Sequence, residues 1–240
     1  MAEYKVQLKN RVQVAEGTLA FHFEKPADFR FKPGQFCSFT LVDPPETDEE
    51  GNKRTFSIAS APHEEDLIVA TRMRDTAFKR SLKKAALGTE IKVKGPSGNF
   101  VLQTNAARAA VFLTGGIGIT PFRSMVLDAA RNKLPHRLFL FYSNRRPEDA
   151  AFLDELRQLE EKNPNYKLIP TMTEPEKSRQ PWKGKTGYID KQMLQQSIGE
   201  LTGPVYYIAG PPEMVAGMRK ILKDAGVGED DVRAEDFEGY

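Results

Sequence analysis

Near residue 105 the hydrophobic rhythm of the chain changes, and few folds accommodate both halves. Over the first hundred residues apolar side chains recur at every second position in short runs: Tyr4-Val6-Leu8, Val12-Val14, Leu19-Phe21-Phe23, Phe36 to Leu41, Leu67 to Met73 and Ile91-Val93. This is the period of strands with one buried face. Turn formers interrupt it at Pro33-Gly34, Asp43-Pro44-Pro45, Ala61-Pro62 and Gly95-Pro96, so the segment predicts an antiparallel sandwich or barrel. One short helix is expected near Thr76 to Ala86, where Phe78 and Leu82 share a face. From about residue 109 compact apolar runs appear instead, at Val111-Phe112-Leu113, Leu138 to Tyr142, Leu168-Ile169 and Val205 to Ala209. Helical spacing separates them, as in Phe122-Met125-Val126-Ala129 and Met214-Val215-Met218-Leu222, which is the pattern of helices packed on a parallel sheet. The expected fold is therefore β followed by α/β: an antiparallel β-barrel over 1–105 and a doubly wound parallel sheet over 106–240.

Composition excludes several roles. The 35 basic and 33 acidic residues leave a net charge of +2, so no global field draws the chain to nucleic acid or anionic membranes. Cys37 is the sole cysteine, which removes an internal disulfide and any four-cysteine zinc or iron–sulfur site supplied by this chain alone. His22, His63 and His136 lack metal-site spacing and read as structural or surface residues. No apolar run reaches a membrane span, and Met1 to Val6 lack the features of a secretory signal, so a cytoplasmic location is expected.

Four segments stand out as sites. Gly115-Gly116-Ile117-Gly118-Ile119-Thr120-Pro121 follows a buried strand and opens a helix, with Thr120 expected as the cap and Pro121 at the first helical position. Glycines there let the backbone approach a ligand closely, and free helix amides favour a diphosphate; an ordinary strand-to-helix turn is the plain alternative. Ala209-Gly210-Pro211-Pro212-Glu213-Met214 repeats the arrangement after Val205 to Ile208, and two such turns beyond strand ends can hold one elongated cofactor. Arg54-Thr55-Phe56-Ser57-Ile58-Ala59-Ser60 reads as one strand, with Arg54, Phe56 and Ile58 on one face. An arginine beside an aromatic ring offers a phosphate clamp and a stacking surface. Basic residues gather at Arg72, Arg74, Lys79, Arg80, Lys83 and Lys84 beside Ser81, either a phosphate site or a solvated helix face.

In this order the segments resemble the ferredoxin–NADP reductase superfamily. The flavin motif of that family, arginine, any residue, an aromatic, then serine or threonine, falls on Arg54, Phe56 and Ser57, with Thr55 as the variable position, and its Pro-Gly-Gln-Phe segment falls on Pro33 to Phe36. The resemblance implies an FAD-binding barrel over 1–105 and an NAD(P)-binding α/β domain over 106–240, in a stand-alone form without an iron–sulfur domain. It implies that Arg54 contacts the FAD diphosphate, that Phe56 stacks, and that Ser57 bonds near the flavin nitrogen that accepts hydride. Phe56 stands where most members have tyrosine, removing one hydroxyl contact worth about 0.5–1.5 kcal/mol. Arg72, Arg74 and Ser81 fall in the second diphosphate segment, without the glycine pair of many relatives.

By the same resemblance, Gly115, Gly116, Gly118, Thr120 and Pro121 form the nicotinamide dinucleotide loop, and Gly210, Pro211 and Pro212 the turn beside the nicotinamide, with Ala209 where many members have cysteine. Phe237 and Tyr240 belong to an aromatic tail that covers one flavin face, Tyr240 joining Ser57 as a catalytic candidate. For the adenine ribose, Ser143, Arg145, Arg146 and Arg179 suit NADP, whereas Glu174 and Asp149 suit NAD; the arginines tilt the balance slightly to NADPH. The implied activity is hydride transfer to FAD, then electron release to a separate acceptor: ferredoxin, flavodoxin, an oxygenase component or a small molecule. The competing expectation is a non-catalytic flavin- or dinucleotide-binding electron-transfer subunit of a larger complex.

Overall fold

The structure, a computed structural model, describes residues 2–237. Two six-stranded sheets carry the chain. The first is antiparallel and uses β1 (Glu3–Ala15), β2 (Thr18–Glu24), β3 (Phe36–Leu41), β4 (Lys53–Ser57), β5 (Asp66–Arg72) and β6 (Glu90–Ser97) in the order β4-β3-β6-β1-β2-β5. The runs Tyr4-Val6-Leu8 and Val12-Val14 belong to one long strand. The first half of β1 pairs with β6 and the second half with β2, with a register irregularity between Leu8 and Asn10. A bulge bends and twists its strand, and the sheet curls into a half-barrel whose end strands, β4 and β5, approach each other. Alternation delivers Val6, Leu8, Phe21, Phe23, Phe39, Val69 and Val93 to its interior. Helix α1 (Ala77–Lys84) closes one end with Phe78 and Leu82, each such side chain contributing about 1.5–3 kcal/mol by full burial.

The second sheet is parallel. It contains β7 (Ala110–Gly115), β8 (Leu138–Asn144), β9 (Tyr166–Met172), β10 (Lys185–Thr186), β11 (Val205–Gly210) and β12 (Val232–Asp236), in the order β10-β9-β8-β7-β11-β12. Helices α2 (Ile119–Arg131) and α3 (Leu153–Lys162) cover the face that bears Phe112, Leu140 and Tyr207. Helices α4 (Lys191–Ile198) and α5 (Pro212–Asp224) cover the face that bears Val111, Leu113, Phe141 and Ile208. Every residue of β7 and β11 is buried, which explains why these runs read as continuous apolar stretches rather than alternating ones. The chain leaves β7 toward β8 on one side and returns as β11 on the other, so the strand order reverses between β7 and β11. Ligands of open α/β sheets bind beyond the carboxyl ends of strands at such a point.

Two local expectations are corrected. The strand at Arg54 ends at Ser57, because Ile58 and Ala59 turn away to bond with Gln35 and Ile68. Thr120 is not the helix cap: a 3-10 turn over Gly116–Gly118 runs directly into α2, so Thr120 lies inside the first helical turn and donates its hydroxyl to the Ile117 carbonyl at 3.1 Å. Pro121 is still accommodated, since amides of the first turn have no intrahelical acceptor.

The two sheets are joined through buried polar contacts. Arg123 on α2, 6% exposed, bonds Glu64 and the Ala59 carbonyl of the half-barrel while also pairing with Glu155 of α3. Ser124 donates to the Ser60 carbonyl at 2.7 Å. Gly34, at φ +95°, packs its α-carbon against the Phe100 carbonyl; a β-carbon there would lie 1.9 Å from that oxygen. The Pro33 to Phe36 motif thus serves the joint between the sheets. Among the described residues no helix is long and apolar enough to cross a membrane.

Candidate functional site

A cleft of about 750 Å³ opens where the end strands of the half-barrel face the carboxyl ends of the parallel strands, within the usual volume range of small-molecule sites. From β4 it takes Arg54, Thr55, Phe56 and Ser57; from β5 and the segment that follows, Arg72, Arg74 and Thr76; from α1, Lys79. The parallel half contributes Ile117, Thr120, Glu235, Asp236 and Phe237.

Strand alternation and packing set the β4 wall. Phe56 leans inward, 5.7 Å from the Phe39 ring and 5.9 Å from the Phe78 ring, while Arg54 lies over Phe78 at 5.3 Å. Thr55 faces the other way and shares a 3.2 Å hydroxyl contact with Ser38. Ser57 is buried at the strand end, paired in register with Phe36. The Arg54 guanidinium is held by the loop before it, pairing with Glu50 at 2.7 Å and Asp48 at 3.2 Å.

The adjoining wall is cationic. Lys79 is held below the usual lysine range first by burial, then by the positive charges of Arg74 and Arg54. Crowding like charges in a partly dry cleft costs free energy that an anionic ligand would recover. Ser81 does not join this wall. It lies inside α1 on the face turned to the core, 4% exposed, with a hydroxyl that has no partner. The hydroxyl that reaches the cleft from this region is that of Thr76, which caps α1 by accepting from the Lys79 amide at 3.3 Å. Its signal in the sequence was a threonine directly before the amphipathic run.

Gly115, Gly116, Gly118, Gly210, Pro211 and Pro212 sit at the β7 and β11 ends but do not line the cleft itself. The two turns pack on each other: a β-carbon on Gly118 would come 2.3 Å from the Ala209 carbonyl oxygen. Close approach of β7 and β11 accounts for that glycine before any ligand does. Pro121 is buried in the first turn of α2. The tail beyond β11 forms an edge strand that the sequence pattern did not announce. In β12, Glu235 pairs with Ala209 and Asp236 with Gly210, and the Phe237 amide then bonds the Gly210 carbonyl at 3.0 Å. Alternation of Val232, Ala234 and charged residues was the available signal. This strand brings Glu235 to the cleft, where burial raises its carboxyl to about 7. Tyr240 lies outside the described residues.

The ribose candidates are separate from the cleft. Ser143, one residue before the end of β8, is half-buried, and Arg145 is exposed. Arg146 is taken by Asp149 at 2.8 and 2.9 Å and by Glu16 at 3.2 Å, and Arg179 pairs with Glu16 at 2.8 Å.

A parallel sheet with its switch point facing a cation-lined cleft on a half-barrel defines a two-domain dinucleotide-binding scaffold. Residues 112–220 match the oxidoreductase NAD-binding domain family. The glycine betaine monooxygenase reductase subunit of Chromohalobacter salexigens is 28% identical over 223 residues, covering 92% of this chain and 60% of that protein. A component of the Na(+)-translocating NADH-quinone reductase of a Marinomonas species is 32% identical over 191 residues, covering 78% of this chain and 45% of that one. The chain therefore spans about half the length of the curated relatives it matches. A ferredoxin NADP+ reductase from Neisseria gonorrhoeae, solved with bound FAD and NADP, superposes with a TM-score of 0.80 at 21% identity, covering 98% of this chain and 99% of that chain. The chain thus carries an oxidoreductase NAD-binding domain over residues 112–220 and shares its two-domain fold with a solved ferredoxin NADP+ reductase.

Proposed function

We propose that this chain is an NAD(P)H-dependent flavoprotein reductase that passes hydride from a nicotinamide to FAD and then electrons to a separate acceptor. The observation that carries the reading is the shared cleft joining Ser57 and the cations of the half-barrel to Thr120, Glu235 and Phe237 of the parallel half. In this reading residues 1–105 hold the flavin and 106–240 the nicotinamide dinucleotide.

The residues present suit both groups. Arg54, Arg72, Arg74, Lys79 and Thr76 supply cations and a hydroxyl for a diphosphate, and guanidinium groups bind phosphate through paired donors. Flavin, when bound, supplies a ring that accepts hydride and releases electrons singly or in pairs. The chain supplies position and a dry, charged wall. Ser57, buried at the end of β4, offers a fixed hydroxyl, and Phe237, tied by its amide to Gly210, lines the opposite wall. Burial raises the Glu235 carboxyl to about 7, so it keeps part of its proton at neutral pH and can exchange it there at the cleft.

NADH suits the ribose end better than NADPH, against the slight tilt of the sequence. Binding a 2′-phosphate on Arg146 or Arg179 requires first breaking their pairs with Asp149 and Glu16, while the Glu174 carboxylate after β9 is engaged only by the exposed Lys177 among the described residues. The curated relatives include components of NADH-quinone reductases. Anaerobic stopped-flow reduction of the flavin-loaded protein by each nucleotide tests both points. Rapid flavin bleaching with the higher second-order rate for NADH is expected; no bleaching by either nucleotide would reject the reductase reading. A screen of acceptors, including an oxygenase component and a ferredoxin, then identifies where the electrons go.

A further inference from the structure

We infer that Asp48 is a built-in competitor for the flavin phosphate groups, so that flavin binds only by displacing the loop 43–52 and is held as an exchangeable ligand. The inference rests on the flavin reading given above. The Asp48 carboxylate accepts from the Ala77 amide at the start of α1 at 2.9 Å and from the Arg54 guanidinium at 3.2 Å. Those are the donors that an anionic phosphate oxygen seeks: a free amide at a helix start and an arginine. Partial burial works to raise the Asp48 carboxyl, but the Ala77 amide and Arg54 outweigh it and hold the group below the usual range. It therefore stays charged at neutral pH and occupies the cradle as an anion.

A plain capping role does not explain the contact. Helix α1 already has a local cap in Thr76, whereas Asp48 arrives from 29 residues away. The loop is tied down on both sides of Asp48. Glu46 grips Arg80 of α1 through both of its oxygens, and Glu50 pairs with Arg54 at 2.7 Å. Three acids thus hold the loop onto the cationic wall. No ion pair joins Arg72, Arg74 or Lys79 to an acid among the described residues. These three attract the anion, and the loop opposes its final seating at Arg54 and Ala77.

The test titrates the full chain and its Asp48→Asn variant with FAD, FMN and riboflavin, following flavin fluorescence and calorimetric heat. The variant keeps an acceptor for the Ala77 amide but loses the charge. Its FAD affinity is expected to rise roughly tenfold, the value of one charge-assisted hydrogen bond. FMN should gain similarly, and riboflavin, which has no phosphate, should not change. Asp75→Asn, which removes an equal charge at a side chain 87% exposed, should have a far smaller effect. Unchanged or weaker FAD binding by Asp48→Asn, or an equal gain for riboflavin, overturns the inference. Absence of binding of all three flavins by both proteins instead overturns the flavin reading itself. Should Asp48→Asn be poorly folded, hydrogen exchange on the unaltered protein decides. Saturating FAD should speed exchange at the Glu50 and Gly51 amides, which bond Asp48, while Ala77 stays protected; unchanged exchange at Glu50 and Gly51 overturns displacement.

Discussion

Glu235 sits on an edge strand, yet the cleft raises its carboxyl from an ordinary 4.5 to about 7 because burial penalises the charged form. The folded protein therefore keeps a proton that the unfolded chain gives up. The stability this group contributes is full below about 4.5 and is lost as pH rises through about 7. Glu235→Gln, which keeps the shape without the ionisation, should flatten that part of the pH–stability curve, read from melting temperatures across the range. In the reduction assay it should also remove an ionisation near 7 from the pH profile of kcat/KM; an unaltered profile would exclude Glu235 from proton handling. Arg54 makes the complementary case. Arg54→Met should weaken FAD binding by roughly ten- to a hundredfold, since a charged hydrogen-bond partner is worth about 1.5–3 kcal/mol. Arg54 and Ser57 were legible in the sequence because their motif is local. Glu235 was not: its property is conferred by the walls around it, and these come from segments far apart in the chain.

Elements read well where one face alternates and poorly where a strand is short or lies at an edge. The runs of β2, β3, β7, β8 and β11 match their sequence signals because burial is regular along them. Strand β10 has two residues, and β12 carries mostly half-buried side chains, so neither offers enough apolar periodicity to be seen. The start of α2 falls earlier than its sequence signal, because the 3-10 turn that precedes it is set by packing against β11 rather than by Thr120. Gly118 records that packing. Gly118→Ala would force a methyl group toward the Ala209 carbonyl, and backbone cannot yield as a flexible side chain does. A loss of about 1–3 kcal/mol is expected from such overpacking, measured by urea denaturation, together with weaker nucleotide binding as the β7 and β11 ends separate. Full stability in the variant would mean that the two turns can part without cost.

At the scale of the molecule the cleft exists only while the two sheets keep their mutual position, since each supplies one wall. The change of rhythm near residue 105 announced two units but carried no sign of what binds them, because the joint is made by polar groups of ordinary appearance. Arg123 is the centre of it. Its guanidinium, nearly sealed from water, holds Glu64 at 3.0 Å from the half-barrel and Glu155 at 2.7 Å from α3, and lies 4.9 Å above the Phe152 ring. Removing Arg123 leaves two half-buried carboxylates without their partner, at about 1.5–3 kcal/mol for the lost charged hydrogen bonds. Arg123→Met should lower stability by that amount, and the loss should fall on the joint rather than on either core, whose apolar clusters do not include it. Calorimetry distinguishes the two. One cooperative transition is expected for the unaltered chain, and two resolved transitions for Arg123→Met as each sheet unfolds on its own. Replacing Glu64 and Glu155 with leucine in the same variant should recover much of the stability, because an apolar cluster has no charge to leave stranded. It should not recover nucleotide-driven flavin reduction fully, since the Ala59 carbonyl contact that sets the half-barrel against α2 would still be missing. A single transition in Arg123→Met would show that Ser124, Gly34 and the Gln103–Tyr207 bonds suffice to hold the walls together.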